Sequence, residues 1–359
     1  MTQSRPAAAH EEYLPQLDGV RAIAVLLVLA QHWVSGHFGL GAPFGFIGVT
    51  MFFVLSGYLI SRILFAARAR QESRGVTALH SLKIFYARRF LRIFPVYYLT
   101  IGVLYLAGDQ SVREGIWWCL TYTVNLYFLK QQDHGSIGHL WSLGIEEQYY
   151  LLYPFMVLFF TATRRWWALW AMTAAAVVSR VVVDRLGVIP EDNKYFTLSC
   201  FDSFAFGGLL AHLEAKHGKA RIQAFFKKPS TAALTLLLVA AFGALGLLLG
   251  PERSMRVVWF RSVISLASLY VVGVALLENR WIALVLGNRP MVYIGKISYG
   301  VYVYHFYSER ILVALIPGWR KSPYPVILLS AFALTVLVAS ASWFLVEKPI
   351  NGFKRHFRY

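Results

Sequence analysis

The first apolar stretch of the chain carries ionisable groups at a spacing that suits chemistry. It reads Leu17-Asp18-Gly19-Val20-Arg21, then ten residues, then His32. In a helix this spacing brings His32 to within about 20° of Arg21 on one face, about 16 Å further along the axis. Asp18 precedes Arg21 by three residues, on nearly the same face. Ionisable side chains are costly in an apolar stretch and face a bundle interior or a water-filled cavity. A histidine held there suits a general base, with Asp18 and Arg21 nearer the start of the helix. The plainer alternative has Asp18 and Arg21 marking an interface and His32 as a satisfied polar residue.

Three further clusters carry polar chemistry. A basic run ends Phe85-Tyr86-Ala87-Arg88-Arg89-Phe90-Leu91-Arg92, where Arg88 and Arg92 share a helical face and Arg89 sits beside them. Forked guanidinium donors suit phosphates, so the run reads as a clamp for a phosphorylated donor, or else as a contact with anionic lipid head groups. A later stretch opens His139-Leu140-Trp141-Ser142-Leu143-Gly144-Ile145-Glu146-Glu147. Its two carboxylates suit the positive end of a helix dipole, and could equally orient a hydroxyl or hold a proton. Ser298, Tyr299, Tyr302 and His305 lie together near the end of the chain, with Tyr302 and His305 three apart. Aromatic hydroxyls are also common in membrane-interface belts.

The elements that must position these groups are membrane helices. Of 359 residues, 57% are hydrophobic and 15% charged, against about 25% charged in a soluble domain. The mean hydropathy is +0.53. Apolar stretches fall at about 20–38, 46–65, 90–108, 141–162, 166–183, 198–212, 231–250, 257–277, 297–316 and 324–346. The stretch 198–212 is short and holds Asp202, and the aromatic segment 114–129 reads as interfacial or re-entrant rather than spanning. This predicts an all-α, polytopic membrane helix bundle of about ten transmembrane helices. With the N-terminus inside, 22 Lys/Arg fall in cytoplasmic stretches and 8 in outer loops, which places both termini in the cytoplasm. The parts are a cytoplasmic tail 1–16, a membrane domain 17–350 and a cytoplasmic tail 351–359. The net charge of +17 is thereby topological, and no nucleic acid is expected as a partner. The segment before Leu17 holds Glu11 and Glu12 and lacks the basic start and cleavage site of a signal peptide. Cys119 and Cys200 stand far apart in apolar surroundings and read as packing residues, and no metal site is expected. Nothing here sets an oligomeric state.

Taken together, the motifs resemble the acyltransferase 3 family of integral-membrane O-acyltransferases. The residues that carry the resemblance are LDGVRAIAVLLVLAQH (Leu17–His32), FIGVTMFFVLSGYLI (Phe46–Ile60), FYARRFLRIFPVYYL (Phe85–Leu99), HLWSLGIEEQYYLLYP (His139–Pro154), KISYGVYVYH (Lys296–His305) and VEKP (Val346–Pro349). They occur in the family's order and cover nearly the whole chain. The resemblance implies a ten-span domain of the bacterial cytoplasmic membrane. Its donor is an acyl-CoA, usually acetyl-CoA, and its acceptor a hydroxyl of a glycan, glycolipid or macrolide-like molecule. It implies catalytic roles for Arg21 and His32, a donor clamp of Arg88, Arg89 and Arg92, and a functional Glu146. One departure is Thr50, where family members commonly carry Asp. Some relatives also append an extracytoplasmic esterase-type domain, which is absent from these 359 residues.

The expected mechanism has acyl-CoA entering from the cytoplasm with its phosphates on the arginine clamp. His32 then deprotonates the acceptor or accepts the acyl group itself, Arg21 steadies the oxyanion or the donor, and Asp18 fixes Arg21. Trp141, Ser142, Glu147, Tyr299, Tyr302 and His305 are expected to contact the acceptor, and membrane lipids surround the bundle. The rival class is a transporter or flippase for a lipid-linked glycan or acyl donor; the absence of two related halves tells against it.

Overall fold

The computed structural model describes residues 13–35, 38, 43–130, 134–186, 193–248, 253–357 and 359. Most of the N-terminal tail with Glu11 and Glu12, the close of the first apolar stretch, and parts of the loops 184–197 and 251–256 lie outside the described residues. Among those described, regular structure is entirely helical. The long helices are α1 (Pro15–Ala30), α2 (Phe44–Arg74), α3 (Ala78–Leu106), α4 (Trp141–Phe159), α5 (Ala162–Leu186), α6 (Phe201–His217), α7 (Pro229–Leu248), α8 (Arg253–Ala275), α9 (Arg289–Leu315) and α10 (Tyr324–Ser342).

Every apolar stretch read from the sequence falls on one of these helices. Among the described residues, six helices are long and apolar enough to cross a membrane, or seven if the bent pair Lys219–Phe226 and Pro229–Phe242 is one span. Helices α4, α6 and α9 are not among the six: α4 carries Glu146, Glu147 and Gln148, α6 has 17 residues, and α9 carries Lys296, Glu309 and Arg310. The segment 114–129 breaks into the short helices Ile116–Leu120 and Val124–Tyr127, neither long enough to cross a bilayer. Cys119 and Cys200 are buried and free.

Glycine sets how closely the central helices approach. Helix α2 crosses α6 where a Cβ on Gly57 would come 2.1 Å from the Phe204 carbonyl oxygen. A Cβ on Gly207 would come 2.0 Å from that of Val54. Gly57, beside Ser56, and Gly207 therefore pack backbone against backbone, as small-residue interfaces in membranes do. Helix α1 meets α9 in the same way, with Gly295 against the Asp18 carbonyl. The bundle has two ends relevant to function. One is where α1 begins and α2 finishes; the other is where α1 finishes and α2 begins.

Candidate active site

Asp18 lies in the first turns of α1 and is buried, and its two oxygens are both engaged. Arg21 Nη1 donates to Oδ1 at 2.6 Å and the Tyr13 hydroxyl donates to Oδ2 at 2.6 Å. Partial burial and this bond to Asp18 push the Tyr13 phenol above its usual range, so it stays a donor. Asp18 thereby fixes Arg21, as its spacing predicts.

Arg21 opens onto a cavity of about 370 Å³ between α1, α2, α3, α4 and α9. Small-molecule pockets occupy roughly 300–1,000 Å³. Four guanidinium groups line it, those of Arg21, Arg62, Arg89 and Arg92, against the two carboxylates of Asp18 and Glu146. Both carboxylates are spoken for within the protein. Glu146 accepts from Ser56 Oγ at 2.5 Å and from the Tyr150 hydroxyl. Arg89 lies 5.2 Å over the Tyr150 ring, and Arg92 sits within electrostatic reach of Arg21, Arg89 and Glu146. Neither Arg89 nor Arg92 forms an ion pair with a described carboxylate. The site keeps a surplus of oriented guanidinium donors suited to an anionic ligand.

Arg88 departs from the expected clamp. Its Nη1 donates to the Phe357 carbonyl at 3.3 Å and its guanidinium lies 6.0 Å over the Tyr359 ring, so it holds the C-terminal tail and does not line the cavity. Its neighbour Arg89 turns about 100° around α3 and faces inward. Arg62 supplies a fourth guanidinium that the sequence reading missed. It sits at the end of an apolar stretch, where a positive charge has a sufficient topological explanation.

The far wall of the cavity is formed by Ser142 and Tyr302, whose hydroxyls lie 2.6 Å apart. The Tyr302 hydroxyl also lies 2.6 Å from the His139 carbonyl oxygen. Ser298 and Tyr299 line the cavity as well, and the Tyr299 hydroxyl donates to the Ile93 carbonyl at 2.9 Å. Trp141 and Glu147 do not line it. Trp141 packs edge-on against Phe53 and Tyr195. Glu147, one helical position from Glu146, points elsewhere, and its Oε1 is buried without a hydrogen-bond partner. Thr50 is fully buried and its hydroxyl likewise has none.

His32 does not share the cavity with Arg21. Helix α1 ends in a π turn, Gln31–Ser35, whose i→i+5 bonds take in an extra residue and break the 100° progression. His32 instead meets His305 of α9, with ring centroids 4.9 Å apart, while its own residue remains exposed. His139, whose ring lies 5.2 Å from that of His305, completes a histidine cluster. His139 opens the motif before α4, but nothing in its spacing gave it a role.

Hydrogen bonding in this cluster fixes the tautomers. His305 Nδ1 lies 2.6 Å from the Tyr302 carbonyl, which can only accept, so Nδ1 carries the proton and Nε2 of the neutral ring is an acceptor. His32 Nδ1 lies 2.9 Å from the Val28 carbonyl and 3.2 Å from His305 Nε2. Facing two acceptors, it too carries its proton, which leaves the lone pair on His32 Nε2. That atom is a base, and the imidazolium formed when it takes a proton is still held by acceptors at Nδ1. Tyr302 and His305 stand between the cavity and the base: the Tyr302 side chain lines the cavity, its carbonyl holds His305, and His305 meets His32. Among the described residues, no group of three His, Cys, Asp or Glu is arranged to hold a metal ion.

The fold and these motifs define an integral-membrane helix bundle with a polar interior, and comparison with known proteins shows its family. The acyltransferase domain model of the acyltransferase 3 family matches residues 14–344. The chain belongs to that family, and its apolar helices make it a multi-pass membrane protein. It is 29% identical over 374 residues to the O-acetyltransferase OatA of Staphylococcus aureus strain NCTC 8325, covering 95% of this chain and 58% of that protein. A second Staphylococcus aureus protein, from strain COL and provisionally named an O-acetyltransferase, is 27% identical over 94% of this chain and 57% of its own length. The chain thus spans just over half the length of these relatives. No solved structure matches it.

Proposed function

We propose that the protein transfers an acyl group, acetyl in the ordinary case, from acyl-CoA to a hydroxyl of a glycan, glycolipid or macrolide-like acceptor. In this reading it is a ten-span protein of the bacterial cytoplasmic membrane with both termini inside. The observation that carries the reading is an arginine-rich cavity lined by Tyr302, whose carbonyl holds His305, the histidine that in turn meets the base His32. The names of the relatives, O-acetyltransferases, support acetyl as the group and oxygen as its destination.

The donor's phosphates bind Arg89, Arg92, Arg62 and Arg21, and its thioester reaches toward Ser142 and Tyr302. Opening the hydrogen bonds that tie Tyr302 to Ser142 and His139 joins the cavity to His32. His32 Nε2 takes the proton of the acceptor hydroxyl as its oxygen bonds to the thioester carbon. The C–S bond then breaks, and the departing thiolate recovers the proton from His32, so that CoA leaves as the thiol. The freed Ser142 and Tyr302 hydroxyls lie where they can donate to the developing oxyanion. The test is incubation of membranes containing the protein with acetyl-labelled acetyl-CoA. Alkali-labile label in the glycan or lipid fraction, with equivalent CoA release, supports the reading. Membranes that release no more CoA than those lacking the protein would sink it.

A further inference from the structure

A second set of charges lies outside the cavity, among α5, α6 and α8. Arg180 of α5 is fully buried: Nη1 donates to the Ser199 carbonyl at 2.8 Å, and Nη2 to Asp202 Oδ2 at 2.8 Å and Ser262 Oγ at 2.7 Å. Asp202 also accepts from Ser262 Oγ at 2.7 Å and from the Ser203 amide at 2.9 Å, so that carboxylate is saturated. A second arginine, Arg261 of α8, is 2% exposed. Its guanidinium lies 4.5 Å over the Phe46 ring and Nη1 donates to Cys200 Sγ at 3.2 Å, a weak acceptor. Nη2 is buried with no hydrogen-bond partner.

Two guanidiniums are thus buried here, and among the described residues only Arg180 is paired with a carboxylate. An isolated buried charge is among the most costly features a protein can keep, and an unfilled N–H adds roughly 1–3 kcal/mol or more. Arg180 is explained by Asp202; among the described residues, no carboxylate pairs with Arg261.

The location narrows what could complete Arg261. Phe46, on which it stacks, is in the first turn of α2. The preceding residue, Gly45, donates its amide to Gln31 Oε1 at 3.2 Å, and Gln31 is the immediate neighbour of His32. Arg261 therefore stands at the same end of the bundle as the base, opposite the arginines that would hold the donor's phosphates. An anion bound here belongs to the other substrate.

We infer that Arg261 is the anion-recognising residue of an acceptor subsite, which takes a carboxylate or phosphate carried by the acceptor and so brings its hydroxyl to the His32 end. This assignment rests on the acyl-transfer reading for the name acceptor, but the binding itself is testable without catalysis.

The probes are octyl β-D-glucuronide, octyl phosphate and the neutral octyl β-D-glucoside, titrated below their micellar concentrations into purified protein in a non-ionic detergent. The wild type should bind at least one anionic probe about tenfold more tightly than the glucoside. A preference for octyl glucuronide alone marks a carboxylate ligand, and one for octyl phosphate alone a phosphate. In Arg261→Met, whose apolar chain leaves no unfilled donor, the preference should fall to within about twofold; in Arg261→Lys it should survive in part. Size-exclusion profiles establish that both variants are folded. Equal affinity for all three probes in the wild type, or a preference that persists in Arg261→Met, would overturn the subsite. CoA release is read separately: anion preference without any CoA release would count against the transferase reading and leave the subsite standing.

Discussion

His32 is the residue on which the proposed chemistry turns, and its environment predicts graded effects. Removing a general base costs about 10²–10⁴-fold in rate. His32→Ala should therefore lose kcat on that scale while KM for acetyl-CoA changes little, because His32 lies outside the cavity that would bind the donor. His305 acts through His32 as a positioning residue. His305→Ala removes the acceptor facing Nδ1, and about 10-fold or more of kcat should go with it. His305→Gln, whose amide oxygen can accept the same proton, should recover part of that loss. Equal damage by both substitutions would contradict the tautomer argument. The arginines divide in the same way. Charge-assisted hydrogen bonds contribute roughly 1.5–3 kcal/mol each. Arg89→Ala or Arg92→Ala should accordingly raise KM for acetyl-CoA by about tenfold or more. Arg88→Ala, which frees only the C-terminal tail, should change it by less than about threefold; donor-competition binding measurements separate the two.

Helix packing determines which of these residues meet, and here sequence reading had its limits. The pairing of Asp18 with Arg21 and the apolar stretches themselves follow from spacing and hydropathy, which are local; which of Arg88, Arg89 and Arg92 face the cavity does not. The partner of His32 does not either, since what it meets, His305 of α9, is set by helix packing. Arg62 and His139 were likewise invisible as site residues, because what distinguishes them is the element they face. The same holds for Glu147, whose neighbour Glu146 enters the site while its own carboxyl turns away. At this scale the crossing of α2 and α6 is the sharpest test. Any side chain at Gly57 would overlap the Phe204 carbonyl, and any at Gly207 the Val54 carbonyl. Gly57→Leu or Gly207→Leu should abolish recovery of monodisperse protein from detergent, whereas Gly102→Leu, with open space around it, should not.

For the whole molecule, the account needs two ends with different duties: one that binds a phosphorylated donor and one where a base meets an acceptor. The proposed orientation, which follows the charge bias of the loops, puts the first in the cytoplasm. Cysteines introduced singly at Arg74 and at Arg320 test the assignment in intact cells, after Cys119 and Cys200 are replaced by serine and alanine. A maleimide that cannot cross the membrane should label position 320 and spare 74. The reverse pattern would turn the molecule over and remove the donor end from its supply of CoA thioesters.

The most direct test of the central claim is acceptor-dependent CoA release from acetyl-CoA by purified protein, comparing wild type with His32→Ala at matched folding and matched acetyl-CoA binding. The account predicts release by the wild type and a loss of about 10²-fold or more in the variant, with donor binding intact. If the variant releases CoA as fast as the wild type, the base assigned to His32 Nε2 is wrong and the chemistry lies elsewhere in the bundle.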